Sequence, residues 1–399
     1  MSESNCLVSR RPIYGPTLNV AAYELQTNFA AEGGSDDVQD HVRAVFRMFN
    51  DSALDVVVGK CPGLVTLPSG SLTEDLWKTL PKARVQLGYF LPLEPTDTAI
   101  RQLMDIASDG YRLAFSDDLS EECMKLLDNA SHTVLVDVTR WPPDQLEKRV
   151  AELRKFSWKI AASRVDTYDD LEFCKELKFD FYQGLFLFKP ESQPKTIPVN
   201  RMNMLRLLSK LHDPNIDMGA VEQIVSQDVA LTYKILQYAN SAAVPLPRKV
   251  SSAGHAVRLI GLETIKAWSS ALLLSSVGKK PRELMTTALV RARMCELLAE
   301  SMKNVAKDTF LTAGLLSVID ALLDRPMEQA LEELPLLDDI KQALIRKAGP
   351  IGQALRCAVA YEQAEWDDAQ FYGLSSASIR EKYLAAITWA RQISSGLLN

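Results

Sequence analysis

The first half of the chain alternates short apolar, β-branched runs with stretches in which apolar residues recur at helical spacing. Eight runs have the pattern of strands: residues 8–15, 19–27, 55–59, 63–68, 85–92, 111–116, 133–139 and 158–163. Helical spacing occupies residues 36–49, 96–107, 143–156 and 168–177. This order predicts parallel β/α units, and so many repeats favour a (β/α) barrel of the TIM type over an open doubly wound sheet.

The pattern changes near residue 190. Residues 189–200 contain three prolines and few large apolar side chains, which is typical of a linker. Beyond it the β-rich alternation disappears, and helical segments continue to Asn399. The sequence therefore predicts an α/β plus all-α protein: a barrel in residues 1–190, a linker in residues 191–200 and a helical domain in residues 201–399.

Composition limits the partners. Lysine and arginine number 45 against 51 aspartate and glutamate residues, a net charge of −6 without a long basic run, which argues against nucleic acid. The six cysteines form no C-x-x-C pair, so neither a zinc site nor a disulfide framework is indicated. No leader pattern and no apolar stretch of ~20 residues is present, so we expect a cytoplasmic protein without a membrane contact.

The usual nucleotide-cradle signatures are missing from the first half. No GxGxxG or GxxxxGK[ST] loop follows any predicted strand. We therefore do not expect an enzyme that uses a dinucleotide cofactor.

Two runs of the first half carry a family resemblance. The segment RPIYGPTLNVAAYEL and the later VDTYDDLEFCKELKFDFYQGLFLFKP resemble the EAL family of cyclic di-GMP phosphodiesterases. Active members are two-metal hydrolases, which implies carboxylate and amide ligands at the carboxyl ends of the barrel strands. Matched residue by residue, the family's site keeps four polar positions: Glu24, Asp117, Asp137 and Gln183.

The same matching implies that most of that site is lost. Metal ligands fall on Leu67 and Gly88, the first aspartate of the D-D-F motif on Ser116, the catalytic lysine on Leu135 and a loop glutamate on Ser163. The arginine that pairs with a phosphate in the family falls on Asn28. Because leucine and glycine offer no ligand atom, we expect no metal, no cofactor and no catalysis, and we read the four retained residues as vestigial.

The second half resembles the HDOD family. The matching pieces are DVALTYKILQYANSA and SSAGHAVRLIGLETIKAW, and the signature positions are Asp228, Asn240, Ser241, Ser252, His255, Gly261 and Trp268. HDOD modules are related to HD phosphohydrolases and are regarded as regulatory units. Local chemistry also explains several of these positions, since Asp217, Asp228 and Ser252 suit helix N-caps and Gly261 suits a C-cap.

Histidines do not restore a hydrolase site in this half. His212 precedes Asp213 and Pro214, as a loop element does, and His255 lies among apolar residues, where packing explains it. The H-D pair of a hydrolase would fall on Ser317 and Val318. The sequence therefore predicts no cation-binding site in this half.

These observations predict a non-enzymatic signalling scaffold in a pathway related to cyclic di-GMP. Its partners would be other signalling proteins of unknown identity, with cyclic di-GMP disfavoured and a homodimer left open. Two alternatives remain: a cyclic di-GMP sensor without turnover, and a cyclic di-GMP phosphodiesterase with an unusual site.

Overall fold

The computed structural model describes residues 7–28, 53–67, 77–78, 80–89, 96–128, 132–191, 206–213, 215–240, 244, 249–275, 280–332 and 334–397. They fall into two compact units, Met1–Phe186 with Glu362–Trp366, and Leu187–Tyr361 with Asp367–Asn399. Apart from Glu191, the predicted linker in residues 191–200 lies outside the described residues, as does the predicted helix in residues 36–49.

The first unit is a closed barrel of eight strands in chain order. Strands β2 to β8 run parallel, which confirms the predicted barrel, whereas β1 runs antiparallel to β2 and β8. The reversal follows from chain length, because the few residues between β1 and β2 cannot make a parallel crossover. The strands are β1 (Val8–Tyr14), β2 (Val20–Thr27), β3 (Gly63–Leu67), β4 (Val85–Tyr89), β5 (Arg112–Ser116), β6 (Thr133–Asp137), β7 (Lys159–Ser163) and β8 (Phe181–Tyr182).

The barrel interior contains an apolar cluster. Ile13, Leu64 and Ala114 form a buried cluster, against which Ala22, Leu135 and Phe181 pack. The opposite face of β3 meets a helix, since a Cβ on Gly63 would contact Leu54 and Val58 at 3.4 and 3.7 Å. Alternation along each strand therefore assigns every second residue to the interior.

Helices surround the strands: α1 (Ala53–Val58), α2 (Asp97–Ser108), α3 (Glu121–Leu127), α4 (Pro143–Leu153) and α5 (Tyr168–Glu176). The prediction of a strand at residues 55–59 was wrong, because this segment belongs to α1. Leu54, Val57 and Val58 are buried together at i, i+3 and i+4 spacing, so packing on the barrel overrides the strand preference of valine.

The second unit is helical, as predicted. Residues 206–211 are helical. The following helices are α6 (Met218–Gln227), α7 (Val229–Ala239), α8 (Ala253–Ile260), α9 (Leu262–Ser275), α10 (Arg282–Ala299), α11 (Lys307–Leu316), α12 (Ile319–Leu323), α13 (Met327–Glu332), α14 (Asp338–Arg346), α15 (Gly349–Glu362) and α16 (Ser376–Leu397).

Helix α10 is the centre of this unit, since 14 of its residues are buried. Helix α11 approaches it very closely at Gly314, where a Cβ would lie 2.5 Å from the Cα of Ala292. The missing side chain is thus what allows the two backbones to pack together.

The predicted helix caps are confirmed. The side chains of Asp217, Asp228 and Ser252 accept hydrogen bonds from the backbone N–H groups of Ala220, Leu231 and His255. Gly261 ends α8 with a φ of 96°, a conformation that favours glycine. Within the part of the chain that the structure describes, no helix is both long and apolar enough to span a bilayer.

Candidate functional site

Glu24 and Gln183 meet at the barrel although 159 residues separate them in the chain. Gln183 directly follows β8, and its Nε2 donates a hydrogen bond of 2.9 Å to Oε2 of Glu24 on β2. The backbone fixes Gln183 on both sides, through its N–H to the carbonyl of Ala162 and its carbonyl to the N–H of Val165. Two of the four positions matched to the EAL site are thus brought together.

Glycine at position 184 holds this arrangement in place. A Cβ on Gly184 would lie 1.9 Å from the carbonyl oxygen of Val165, so no other residue fits without moving the backbone. This close approach explains why a glycine follows Gln183.

Strand β1 adds polar groups that the sequence analysis missed. Arg11 lies opposite Glu24 in the register of β1 and β2, and both share the interior parity of Ile13 and Ala22. When the Gln26 amide is turned so that its oxygen faces Arg11, this oxygen accepts hydrogen bonds from the guanidinium at 3.1 and 3.3 Å. The sequence contained the information needed to find Arg11, because the short connection between β1 and β2 requires that these strands pair antiparallel.

Ser9 has the same parity on β1 as Arg11. Its side chain is fully buried, and its hydroxyl has no hydrogen-bond partner among the described residues. Because β1 is antiparallel, its beginning lies at the carboxyl ends of the parallel strands, the end that carries the sites of TIM barrels. We call Ser9, Arg11, Glu24, Gln26 and Gln183 the barrel-end cluster.

The other retained carboxylates serve local structure. Asp117 is buried after β5, and its Oδ2 accepts from Nε1 of Trp141 at 2.7 Å. Burial raises the pKa of Asp117, whereas the hydrogen bond from Trp141 lowers it. Asp137 accepts from the backbone and hydroxyl of Thr139 at 3.0 and 2.7 Å, which caps a short 3₁₀ turn.

Two of the lost positions are filled by apolar packing. Leu135 contacts the interior cluster of the barrel. At Gly88, a Cβ would meet Oγ1 of Thr66 at 2.9 Å and Cδ1 of Leu64 at 3.2 Å. A carboxylate at position 88 would therefore displace the side chains that fill this part of the barrel.

Alternation corrects the matching at Leu67. Gly63 faces α1 and Leu64 faces the interior, so Thr66 shares the interior face and Leu67 has the outward parity. The contact between Thr66 and the Cβ direction of Gly88 agrees with this assignment. The interior position near the end of β3 is therefore Thr66, one residue before the position that the motif matching selected.

The remaining lost positions have local roles. Ser163 donates its hydroxyl to the carbonyl of Val136 at 3.1 Å, and the Asn28 side chain accepts from the backbone N–H of Leu7 at 2.7 Å. Ser116 ends β5, paired in register with Leu135. In the described ranges, no group of three or more histidine, cysteine, aspartate or glutamate side chains is arranged to hold a metal ion.

The HDOD signature positions of the helical unit serve packing and capping. The Asn240 amide donates to the carbonyl of Val250 at 2.8 Å, and its oxygen accepts from the N–H of Val250 at 2.7 Å. Trp268 is buried, and Nδ1 of His255 faces the backbone N–H of Ser251 at 3.4 Å. Ser241 lies outside the described residues.

A comparison with protein-family models matches residues 197–334 to the HDOD domain. The helical half contains an HDOD domain. Two curated proteins are related over nearly the whole chain. One is named cyclic di-GMP phosphodiesterase CdgJ, from Vibrio cholerae, and is 28% identical over 97% of this chain and 93% of its own length. The other is the uncharacterized protein YuxH from Bacillus subtilis, 24% identical over 97% and 98%.

Two solved structures are similar to this chain over less than half of its length. An EAL domain protein from Listeria monocytogenes is 15% identical over 46% of this chain and 87% of that chain, with a TM-score of 0.36. The PaMucR phosphodiesterase, solved as a c-di-GMP complex, is 16% identical over 46% and 95%, with a TM-score of 0.40.

The name of the Vibrio cholerae relative contradicts one prediction. A protein that matches 97% of this chain is named a phosphodiesterase, so the prediction that the chain is not an enzyme was wrong. That prediction counted ligands at motif positions alone. It placed one of them on an outward-facing residue, Leu67, and it overlooked the polar groups of β1. The segments that follow β2, β3 and β4 in the chain also lie largely outside the described residues.

Proposed function

We propose that the protein recognises cyclic di-GMP at the carboxyl end of its barrel, through the barrel-end cluster. The observation that carries the proposal is the hydrogen bond between Glu24 and Gln183. Arg11 lies beside this pair, on the strand β1 that separates β2 from β8. The phosphodiesterase name of the full-length relative supports the choice of nucleotide.

The chemistry of the cluster suits a cyclic dinucleotide. A guanidinium pairs with phosphate through two parallel hydrogen bonds, so Arg11 can supply the contact that Asn28 does not. The buried hydroxyl of Ser9, which lacks a partner in the described part of the chain, offers a further hydrogen bond. Glu24 accepts hydrogen bonds and Gln183 can donate or accept them, so both suit the polar edge of guanine.

Calorimetric titration of the full-length protein with cyclic di-GMP tests this proposal. We expect Arg11→Ala to weaken binding at least tenfold, because it removes a charge-assisted phosphate contact. Arg112→Ala is the matched control, since Arg112 begins β5 at the opposite end of the barrel and is exposed. No heat from the unaltered protein, or equal affinities for the two variants, would reject the proposal.

Hydrolysis of cyclic di-GMP is the second candidate, and the name of the same relative favours it. A two-cation centre does not fit the interior positions described above, because Leu135 and Gly88 provide no ligand atom. We therefore propose hydrolysis as an activity without assigning a metal-dependent step to these residues.

The test of hydrolysis is chromatography of cyclic di-GMP incubated with the protein and Mg²⁺ or Mn²⁺. We expect a linear dinucleotide product whose formation falls by ~100-fold or more in Glu24→Gln, which keeps the shape of the side chain but removes its charge. Glu176→Gln, at the end of α5, is the control. Absence of product at protein concentrations equal to the substrate would exclude this second function.

We further propose that other signalling proteins bind the helical unit. Its large exposed apolar side chains include Met218, Tyr233 and Leu259, and exposed apolar side chains can contribute to a contact with another protein. Recovery of a partner from native cells by the full chain, but not by Tyr233→Asp, would support this view. Light scattering would determine whether the chain also forms the homodimer that the sequence leaves open.

A further inference from the structure

Gln183 lies just beyond the strand pairing of the barrel. The register of β7 and β8 ends at the pair Ala162 and Tyr182, one residue before Gln183. Gln183 is nevertheless buried, and its Nε2 donates to Glu24 at 2.9 Å. Because a strand of two residues fixes little backbone, contacts beyond the strand pairing contribute to the direction in which this amide points.

The segment that follows β7 supplies such contacts. The chain turns at Arg164, whose φ of 58° lies in the left-handed region, and Val165 then meets the residues after β8. The N–H of Val165 donates to the carbonyl of Gln183 at 3.0 Å, and its carbonyl accepts from the N–H of Phe186 at 3.2 Å. Gln183 and Phe186 are therefore both held by the backbone of one buried residue.

Asp166 holds a residue between these two. Its Oδ1 accepts a hydrogen bond of 3.1 Å from the backbone N–H of Leu185, which lies 19 residues away in the chain. A carboxylate forms a charge-assisted bond with a backbone N–H, and such a bond is stronger than one between neutral groups. Asp166 thus fixes the backbone two residues after Gln183 with a side chain rather than through the sheet.

The residue after Asp166 is also fixed. Thr167 caps α5: its Oγ1 accepts from the N–H of Asp170 at 3.1 Å, and the Asp170 carboxylate accepts from the N–H of Thr167 at 3.1 Å. This reciprocal pair is a capping box, which satisfies two N–H groups at the start of a helix. The backbone of Asp166 therefore lies between the turn at Arg164 and the capped start of α5, and its carboxylate reaches Leu185 from a constrained position.

We propose that Asp166 is a positioning residue for the recognition of cyclic di-GMP, because it orients Gln183 within the barrel-end cluster. Asp166 acts through the backbone of Leu185, whereas the side chain of Gln183 contacts the ligand. This inference rests on the proposed binding of cyclic di-GMP at the barrel-end cluster. It assigns to that site a residue from a different segment of the barrel.

A measurement without ligand tests the positioning. The side-chain amide of Gln183 gives a proton–nitrogen correlation signal in the full-length protein, which Gln183→Glu assigns by removing it. We expect Asp166→Ala to shift this signal, because the hydrogen bond to Glu24 depends on the position of the backbone. Asp166→Asn should leave the signal in place, since its side-chain oxygen can still accept from Leu185. An unmoved signal in Asp166→Ala would overturn the proposal.

Calorimetric titration with cyclic di-GMP tests the consequence for the ligand. We expect Asp166→Ala to weaken binding about tenfold and Asp166→Asn to restore most of the affinity. Asp128→Ala is the matched control, because the Asp128 carboxylate also accepts a backbone N–H, that of Ser157 at 3.4 Å. Ser157 precedes β7, at the amino ends of the parallel strands, so this control should bind the ligand as the unaltered protein does.

The two measurements separate two kinds of failure. Unchanged affinity in Asp166→Ala, or an affinity in Asp166→Asn as low as in Asp166→Ala, would overturn the positioning role. No heat from the unaltered protein would instead reject the binding of cyclic di-GMP, whereas the Gln183 signal reports on the positioning alone.

Discussion

At the scale of single residues, the helical unit contains a buried lysine side chain that is paired with two carboxylates. The side chain of Lys280 is 8% exposed, and its Nζ lies 2.6 Å from Oδ1 of Asp324 and 3.2 Å from Oε1 of Glu191. The backbone N–H of Glu191 also donates to Asp324 at 3.1 Å. Removing one member of such a group leaves an uncompensated buried charge, which costs far more than the intact pair contributes.

The buried imidazole of His212 should make stability depend on pH. Its folded-state pKa of about 4 lies below the ordinary value of 6.5, so the unfolded chain binds a proton first as the pH falls. The contribution of His212 to stability is therefore complete above pH 6.5 and decreases by about 3 kcal/mol toward pH 4. Urea unfolding between pH 4 and 8 measures this slope.

The variant His212→Gln isolates that effect. Glutamine keeps a polar group for Ser270 but cannot take up a proton, so the part of the slope between pH 4 and 6.5 should disappear. His255→Gln is the matched control, because it makes the same substitution at a half-buried position of α8. An unchanged slope in His212→Gln would show that other groups cause the pH dependence.

At the scale of elements, the contact between α10 and α11 depends on a missing side chain. Gly314→Ala would place a Cβ 2.5 Å from the Cα of Ala292, so we expect a loss of ~3 kcal/mol in the free energy of unfolding. At the exposed start of helix α6, a Cβ at position 219 meets only Oδ1 of Asp217 at 3.4 Å, so Gly219→Ala should stabilise the protein by ~0.5–1 kcal/mol. Thermal unfolding of the two variants should therefore shift in opposite directions.

Elements with a clear period were predictable from the sequence. Most strands were found because their apolar runs are short and bounded, and α2 was found because its apolar residues recur at helical spacing. Strand β8 was missed because its two residues are too few to show a period. Helix α1 was misassigned because three consecutive valines favour a strand when packing is ignored.

The candidate site was only half predictable. Glu24 and Gln183 were matched through motifs, and the structure places them together. Arg11 and Ser9 were missed because their relevance depends on the pairing of β1, and Leu67 was selected because motif matching does not follow side-chain parity. The local sequence shows the alternation of a strand, whereas pairing with the neighbouring strands determines which of its faces points toward the site.

At the scale of the whole molecule, the chain divides into two compact units, and the barrel-end cluster belongs to the first of them. A ligand that binds only the folded state stabilises the unit that holds it, by an amount that grows with the logarithm of its concentration. Cyclic di-GMP should therefore act on the first unit in particular.

Differential scanning calorimetry of the full-length protein can resolve this expectation. With two compact units we expect two overlapping transitions, of which cyclic di-GMP raises only the one that belongs to the barrel. Arg11→Ala should abolish this shift, whereas the control Arg112→Ala should keep it. A shift of both transitions, or no shift in the unaltered protein, would contradict the assignment of the ligand to the barrel. The comparison separates lost binding from lost stability, because a general loss of stability in Arg11→Ala would lower a transition without removing its response to the ligand.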